Sequence, residues 1–173
     1  MAGMKNLIKT AFSKAKDFVK KEYKKIKQNA TKVLSDIKKR SKNTKTRDTF
    51  KPGALVAFNY DAKHKQQRYD KNPLIICLGW SKEHPKTHFY GLNLHWVDIN
   101  QRVSIASFFI ELLNKRNGKL VYDDVKPFLK KFKKHPILRM YIYKNVSNRV
   151  YVMDQDMYLS AAAIPSEKWM GGK

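Results

Sequence analysis

An uninterrupted amphipathic pattern over residues 4–40 constrains the fold more than any other feature of the chain. Neither Pro nor Gly occurs in this stretch, and apolar residues recur three and four positions apart, with lysines at most of the remaining positions. This spacing places the apolar side chains on one face of an α-helix. We therefore predict one basic helix within residues 1–40, about 55 Å long because each residue adds about 1.5 Å.

Positive charge is concentrated in the same part of the chain. Residues 1–50 contain 16 basic and four acidic side chains, and the whole chain has a net charge of +23. A charge of this size attracts polyanions, either nucleic acid or an anionic membrane surface. DNA is the predicted partner, and a membrane-surface helix with Phe12, Phe18 and Tyr23 opposite the lysines is the alternative. The residues predicted to contact phosphates are Lys14, Lys16, Lys20, Lys21, Lys24, Lys25, Lys27, Lys32, Lys38, Lys39 and Arg40.

The second half of this helix has a heptad-like seam. From Val19 to Ile37 the apolar residues are separated alternately by four and three positions. Such spacing is typical of a helix that packs against a partner helix. The seam therefore supports a second hypothesis, in which the helix forms oligomers or docks on an acidic ring of another protein.

The pattern changes after residue 40 and divides the chain into three predicted segments. Residues 41–49 are polar and have no periodicity, which is typical of a linker. From residue 52 onward β-forming residues follow a period of two. We predict a helix at 1–40, a linker at 41–51 and a domain at 52–173. The fold class is α+β, with a small five-stranded antiparallel sheet that is bent or closed into an SH3-like barrel, and with two inserted helices.

Five strands are predicted in the domain. The first three are expected to form an antiparallel meander, and the last two a closing hairpin around an acidic turn. Residues 137–143 fit either a helix or a strand. The predicted strands are residues 53–60, 74–78, 87–94, 149–153 and 157–164.

The two predicted helices follow the third strand. Asp98 is a typical N-cap, and a broad apolar face extends from there to about Arg116. A shorter basic helix is predicted to begin after Asp123 or Asp124, with Pro127 in its first turn.

The sequence contains no pattern that indicates catalysis. Cys77 is the one cysteine, which excludes an internal disulfide and fits a reducing compartment. It lies in the longest apolar run, residues 74–78, which is far shorter than the ~20 residues of a transmembrane helix. His84 and His88 have metal-ligand spacing, but Pro85 disfavours the helix that would align them. We expect a non-enzymatic protein without a metal or cofactor, and a small-barrel ribonuclease is the alternative that the architecture suggests.

Basic and aromatic residues interleave in a loop of the predicted domain. Aromatic rings that are exposed among cations can stack on unpaired bases, whereas rings buried in an amphipathic pattern belong to the core. The loop residues predicted to contact nucleic acid are Lys63, Lys65 and Arg68.

A second candidate site lies at the end of the third predicted strand. His95 and Trp96 are adjacent there, and a hydrogen-bonded structural histidine is the alternative interpretation. We group these two residues with Tyr69 and Arg102 as a possible site of the domain.

Several blocks of the domain resemble a family of small proteins from T-even-like contractile-tailed phages, whose members are often labelled DNA end protector or virion protein. The YGLNLHW block at 90–96 carries the resemblance most specifically. The other blocks are Pro52-Gly53, FNYDAK at 58–63, Tyr69-Asp70, PLI at 73–75, Arg102, RVYV at 149–152, AAAIP at 161–165 and EKW at 167–169. The resemblance covers residues 52–170.

The resemblance implies a phage protein, present in the host bacterial cytoplasm and the virion, and associated with packaged DNA or the head-tail junction. Together with the charge pattern, it predicts a protein that binds DNA non-specifically and protects the ends of the packaged genome. The alternative is a structural virion component of the connector, neck or tail. Other virion proteins are expected partners in either case.

Overall fold

The computed structural model describes residues 2–62 and 70–169, in which a six-stranded antiparallel sheet is covered by helices. The strands lie in the order β1-β6-β2-β3-β4-β5, and β1 and β5 are the two edges, so the sheet is open. The helices are α1 Ala2–Gln28, α2 Ala30–Arg40, α3 Ile99–Lys115, α4 Tyr122–Lys131, α5 Tyr158–Ala163 and α6 Ser166–Trp169. The strands are β1 Lys42–Asn43, β2 Leu55–Tyr60, β3 Leu74–Trp80, β4 His88–Asn93, β5 Leu138–Ile142 and β6 Val146–Val152.

The predicted N-terminal helix is helical but not continuous, because Asn29 separates α1 from α2. The backbone of Asn29 has φ −112° and ψ 22°, outside the helical range. Its side-chain Nδ2 donates to the carbonyl of Lys25 at 3.1 Å, a local hydrogen bond of the kind with which Asn competes against helical structure. The prediction of one unbroken helix was therefore wrong at this residue, and the helical pattern on both sides of it is confirmed.

The apolar face of α1 and α2 packs inside the chain. Ala11 and Ala15 are buried in the main core, and their small side chains allow α1 to lie close to α3. Ile26 and Ile37, which belong to the heptad-like seam, are buried in the same core. The seam is therefore used for intramolecular packing.

The predicted meander is confirmed, but the strand count is not. β2, β3 and β4 pair in antiparallel order, as expected. The sheet has six strands rather than five, because β1 pairs with β6 and the undecided segment at 137–143 forms β5. The sheet is antiparallel and open, so the predicted closed SH3-like barrel is not observed, and the predicted bend of the sheet stays a prediction.

Of the predicted closing hairpin, the first strand is confirmed and the second strand is wrong. Its first strand exists as part of β6, but residues 158–163 form α5. Ala161, Ala162 and Ala163 are fully buried there, and alanine has the highest helix propensity of all residues. The short helix packs against α1 and α3.

Both inserted helices are confirmed, but the second begins earlier in the chain than predicted. The Asp98 side chain accepts a hydrogen bond from the Gln101 backbone N–H at 2.9 Å, and the Gln101 side-chain oxygen accepts one from the Asp98 backbone N–H. These two hydrogen bonds form a capping box at the start of α3. α4 begins at Tyr122, so Pro127 lies inside the helix rather than in its first turn.

The division of the chain at residues 40 and 51 stays a prediction. The predicted linker itself has structure: it contains β1 and a 3-10 turn at Arg47–Phe50. Phe50 is fully buried in an aromatic cluster on the sheet face opposite the main core. Among the described residues, no helix is both long enough and apolar enough to cross a membrane.

Candidate nucleic-acid interface

Six lysines form one exposed row along α1, which we call the α1 lysine stripe. Steps of three, four and seven residues separate its members, and this spacing keeps them on one side of the helix. The row runs from Lys5 to Lys27, which is 22 residue steps or about 33 Å of helix. Of the two acidic residues of α1, Glu22 lies outside the spacing, whereas Asp17, three residues before Lys20, lies at the edge of the row. The stripe consists of Lys5, Lys9, Lys16, Lys20, Lys24 and Lys27.

The buried face of α1 fixes the direction of this stripe. Ala11, Ala15 and Ile26 pack into the core, and the stripe lysines are exposed to solvent. The sequence interpretation missed Lys5 and Lys9, although the same helical spacing includes them. The stripe is thus a row of cations on a rigid support.

The other predicted cations of α1 and α2 have different surroundings. Three of them pair with carboxylates: Lys14 with Glu111, Lys25 with Glu22, and Arg40 with Asp156. Lys21, Lys32 and Lys39 are exposed outside the stripe. The predicted set of eleven therefore divides into stripe lysines, paired cations, exposed lysines on another face, and Lys38.

Lys38 lies in a cleft between α2 and β6, which we call the α2–β6 cleft. Its Nζ is 5.4 Å from the ring centroid of Tyr151 and 5.9 Å from that of Trp169. Burial lowers the pKa of Lys38, and the positive charge of Arg149 lowers it further. Two cations therefore lie near each other in the cleft, of which Lys38 is half-buried and Arg149 is exposed.

An apolar groove with a volume of about 540 Å³ runs between the start of α1 and α4; we call it the α1–α4 groove. Met4, Ile8 and Phe12 border it, and Phe12 is 58% exposed. Phe108 and Phe128 form part of its floor. Large apolar side chains that stay exposed together are typical of a surface that binds another molecule.

The predicted loop cations, Lys63, Lys65 and Arg68, lie outside the described residues, as does Tyr69. Their predicted contact with nucleic acid stays a prediction.

His95 belongs to a buried polar cluster. Its Nδ1 is 2.7 Å from Oδ2 of Asp70, and the two side chains are only 3% and 4% exposed. Asn93 Nδ2 donates to the same oxygen at 3.0 Å. Burial alone would raise the pKa of Asp70, but the hydrogen bonds from His95, Asn93 and the Asn72 backbone, with the charge of His95, lower it. The cluster ties Asp70, which precedes β3, to the end of β4.

Arg102 and Trp96 also make intramolecular contacts. Arg102 is buried and donates from Nε to the carbonyl of Val97 at 2.9 Å and from Nη2 to Ser166 Oγ at 2.9 Å. The guanidinium of Arg139 lies 5.0 Å from the ring centroid of Trp96. The structure thus places His95, Trp96 and Arg102 in contacts within the chain, and their grouping with Tyr69 as a site stays a prediction.

The described ranges contain no group of three or more His, Cys, Asp or Glu side chains placed to hold a metal ion. His84 and His88 lie near each other, with ring centroids 4.8 Å apart. Cys77 is fully buried, and this burial raises the pKa of its thiol.

Comparison with known proteins identifies the family. No curated protein and no solved structure matches the chain. The family model of the phage T4 terminal DNA protecting protein matches residues 4–133, which is well over half of the 173 residues. The match extends the resemblance noted at residues 52–170 to α1 and its lysine stripe. The chain therefore belongs to the phage T4 terminal DNA protecting protein family.

Proposed function

We propose that this protein binds duplex DNA without sequence preference and protects the ends of the packaged phage genome, with the α1 lysine stripe in contact with phosphates. The observation that carries this proposal is the stripe itself, six exposed lysines on a helix whose opposite face is fixed in the core. Lysines that neutralise phosphates release condensed counterions, which favours binding at low and moderate salt.

The geometry of the stripe suits the DNA backbone. Its length of about 33 Å compares with the 34–36 Å or so of one turn of B-DNA. Contacts from lysine to phosphate position a protein on the duplex but carry no sequence information. The expected binding is therefore non-specific, and the selectivity for ends must come from another part of the molecule.

The other elements of the proposal follow from the family. We place the protein in the host bacterial cytoplasm during assembly and in the virion afterwards, with DNA and virion proteins as its partners. Its role is protective rather than enzymatic. The ribonuclease alternative depended on a closed small barrel, and the observed sheet is open.

The test compares linear duplex with covalently closed circular duplex of the same sequence and length. Binding is measured over a salt series from about 50 to 300 mM, and exonuclease digestion of the linear form is followed in parallel. We expect tighter binding to the linear form and slower loss of its terminal nucleotides. Equal affinity for both forms, with unprotected termini, would contradict end protection and leave only attraction between polycation and polyanion.

A structural role in the virion is a second candidate, and the α1–α4 groove favours it. The heptad-like seam no longer supports this role, because Ile26 and Ile37 pack within the chain. Lys131 lines the groove, and Lys5 and Lys9 are sequence neighbours of its lining residues Met4 and Ile8. A second copy of this basic chain would meet like charge there. The occupant that fits is an amphipathic helix of another virion protein, with an apolar face and acidic flanks.

Replacing both Ile8 and Phe12 with serine tests this docking. We expect at least a tenfold lower amount of the variant in purified phage particles, measured by immunoblot, with unchanged affinity for DNA. Val121→Ser is the matched control, because Val121 is 61% exposed and lies outside the groove. Normal incorporation of the double variant would exclude the groove as the docking surface.

A further inference from the structure

The α2–β6 cleft combines cations and hydroxyl groups in one concave surface. It has a volume of about 580 Å³. Thr31, Ser35 and Lys38 are spaced by four and three residues, so they share one face of α2 and line the cleft together. Arg149 and Tyr151 of β6 form the opposite wall, and Lys39, Ser41 and Asn43 complete it. The lining contains no carboxylate.

Charge pairing distinguishes this cleft from its surroundings. Arg40 pairs with Asp156, and Lys42 lies 3.9 Å from Asp154. In the described ranges neither Lys38 nor Arg149 forms an ion pair with a carboxylate. The carboxylates at this end of the molecule therefore pair with Arg40 and Lys42, and in the described ranges they leave the three cations of the cleft, Lys38, Lys39 and Arg149, uncompensated.

Holding Lys38 and Arg149 together costs free energy in the absence of a ligand. Lys38 is half-buried, and both its partial desolvation and the nearby charge of Arg149 disfavour its protonated form. The rings of Tyr151 and Trp169 hold the ammonium in place. An anion in the cleft would remove the repulsion, and Thr31 and Ser35 could donate to its oxygens.

We propose that the α2–β6 cleft binds a phosphate group. Its DNA aspect rests on the proposed function, because the DNA that the α1 lysine stripe attracts supplies phosphates of two kinds. An internal phosphodiester carries one negative charge. A terminal phosphate monoester carries about −1.5 to −2 and has three acceptor oxygens, so it would use more of the donors in the cleft. The cleft is the part of the molecule that could distinguish an end from the interior of a duplex.

The first measurement uses inorganic phosphate and the full chain. Amide resonances are followed by NMR while phosphate replaces chloride at constant ionic strength. We expect saturable shifts at residues 41–43 and 149–151 with a millimolar dissociation constant. The double variant Lys38→Gln with Arg149→Gln should bind phosphate at least tenfold more weakly, and Lys38→Arg should retain most of the binding. The matched control is Lys71→Gln with Lys144→Gln, which removes the same charge from exposed positions outside the cleft.

The second measurement uses two blunt duplexes of about 20 base pairs, one with 5′-phosphate and one with 5′-hydroxyl ends. If the ligand is the terminal phosphate, the wild type prefers the phosphorylated duplex by at least fivefold, and the cleft variant loses this preference. If it is an internal phosphate, the variant binds both duplexes several-fold more weakly. If it is free phosphate, the NMR shifts occur without any change in DNA affinity.

The inference would be overturned if phosphate caused no NMR shifts in the wild type, or if the same shifts occurred unchanged in the cleft variant. The proposed function would then still stand as long as replacement of stripe lysines weakens DNA binding. If replacement of stripe lysines has no effect while the cleft variant fails to bind duplex, the stripe assignment is wrong and the cleft remains. Folding of each variant is checked by circular dichroism and thermal unfolding.

Discussion

Replacing Lys9, Lys16, Lys20 and Lys24 with glutamine is expected to weaken binding to duplex DNA by about 100-fold to 1000-fold at about 0.1 M salt. Each lysine that contacts a phosphate releases close to one counterion, so the loss of four contacts should also make the salt dependence shallower. The slope of log affinity against log salt should decrease in magnitude by about 3 to 4. Fluorescence anisotropy with a labelled duplex over a salt series measures both quantities.

The control variant tests whether the affinity for DNA depends on the position of the lysines or on the total charge of the protein. Replacing Lys51, Lys71, Lys86 and Lys144 with glutamine removes the same four charges from exposed positions in loops and turns of the sheet. We expect this variant to bind DNA within about threefold of the wild type, because a distant surface charge acts only through a field that salt screens. If the two variants lose affinity equally, binding depends on net charge and the stripe has no special role.

Ala15→Asp is expected to lower the free energy of unfolding by about 3 to 5 kcal/mol. Ala15 is 2% exposed in the core where α1 packs against α3. An aspartate there would be a buried charge without a partner, and the space left by a methyl group does not admit a carboxylate without displacement of the helix. Urea unfolding, followed by circular dichroism at pH 7, measures the change.

Thr10→Asp is the matched control for this substitution. It introduces the same side chain into the same helix at an exposed position. We expect a change within about 0.5 kcal/mol, as for most surface substitutions. If Ala15→Asp is tolerated as well as Thr10→Asp, α1 does not belong to the cooperative core and acts as a separate arm.

This packing also changes the experiment that the sequence suggests. The sequence predicts a basic helix that contacts DNA, and on that basis deletion of residues 1–45 is expected to weaken binding to duplex DNA greatly. In the structure the same deletion would take Ala11, Ile26 and Ile37 out of the core and β1 off the edge of the sheet. A loss of DNA binding by the truncated chain would then reflect unfolding. Substitutions on the exposed stripe avoid this problem.

The parts of the fold that the sequence predicts well have strong local signals. The meander of β2, β3 and β4 follows from short apolar runs between polar loops. The start of α3 follows from Asp98 and Gln101, because a capping box is encoded within four residues. The helical character of residues 4–40 follows from an apolar period that no Pro or Gly interrupts.

The parts that the sequence missed depend on tertiary contacts or on ambiguous patterns. β1 has only two residues and exists because β6 pairs with it. The Tyr158–Ala163 segment is apolar except for Ser160, so periodicity does not distinguish a buried strand from a buried helix, and the local alanine content was the signal that favoured the helix. The break at Asn29 occurs at a residue whose side chain donates to the Lys25 carbonyl, a contact that apolar periodicity does not reveal.

The candidate sites also differ in how far the sequence alone reveals them. The α1 lysine stripe is visible in the sequence because all its members lie on one helix. The α2–β6 cleft is not, because Lys38 and Arg149 are 111 positions apart and only the pairing of β6 with β1 brings them together. The pairing of Asp70 with His95 likewise depends on the fold, since it joins a loop to the end of a strand.

The attachment of the lysine stripe to the core has a thermodynamic consequence. In the free protein the stripe lysines repel one another, and this repulsion opposes folding because the helix that carries them is part of the cooperative unit. Under the proposed function, DNA that neutralises the stripe would bind the native chain in preference to the unfolded one and would stabilise the entire core by linkage. Protection would then be mutual, because the protein would shield the termini of the duplex and the bound duplex would stabilise the folded protein.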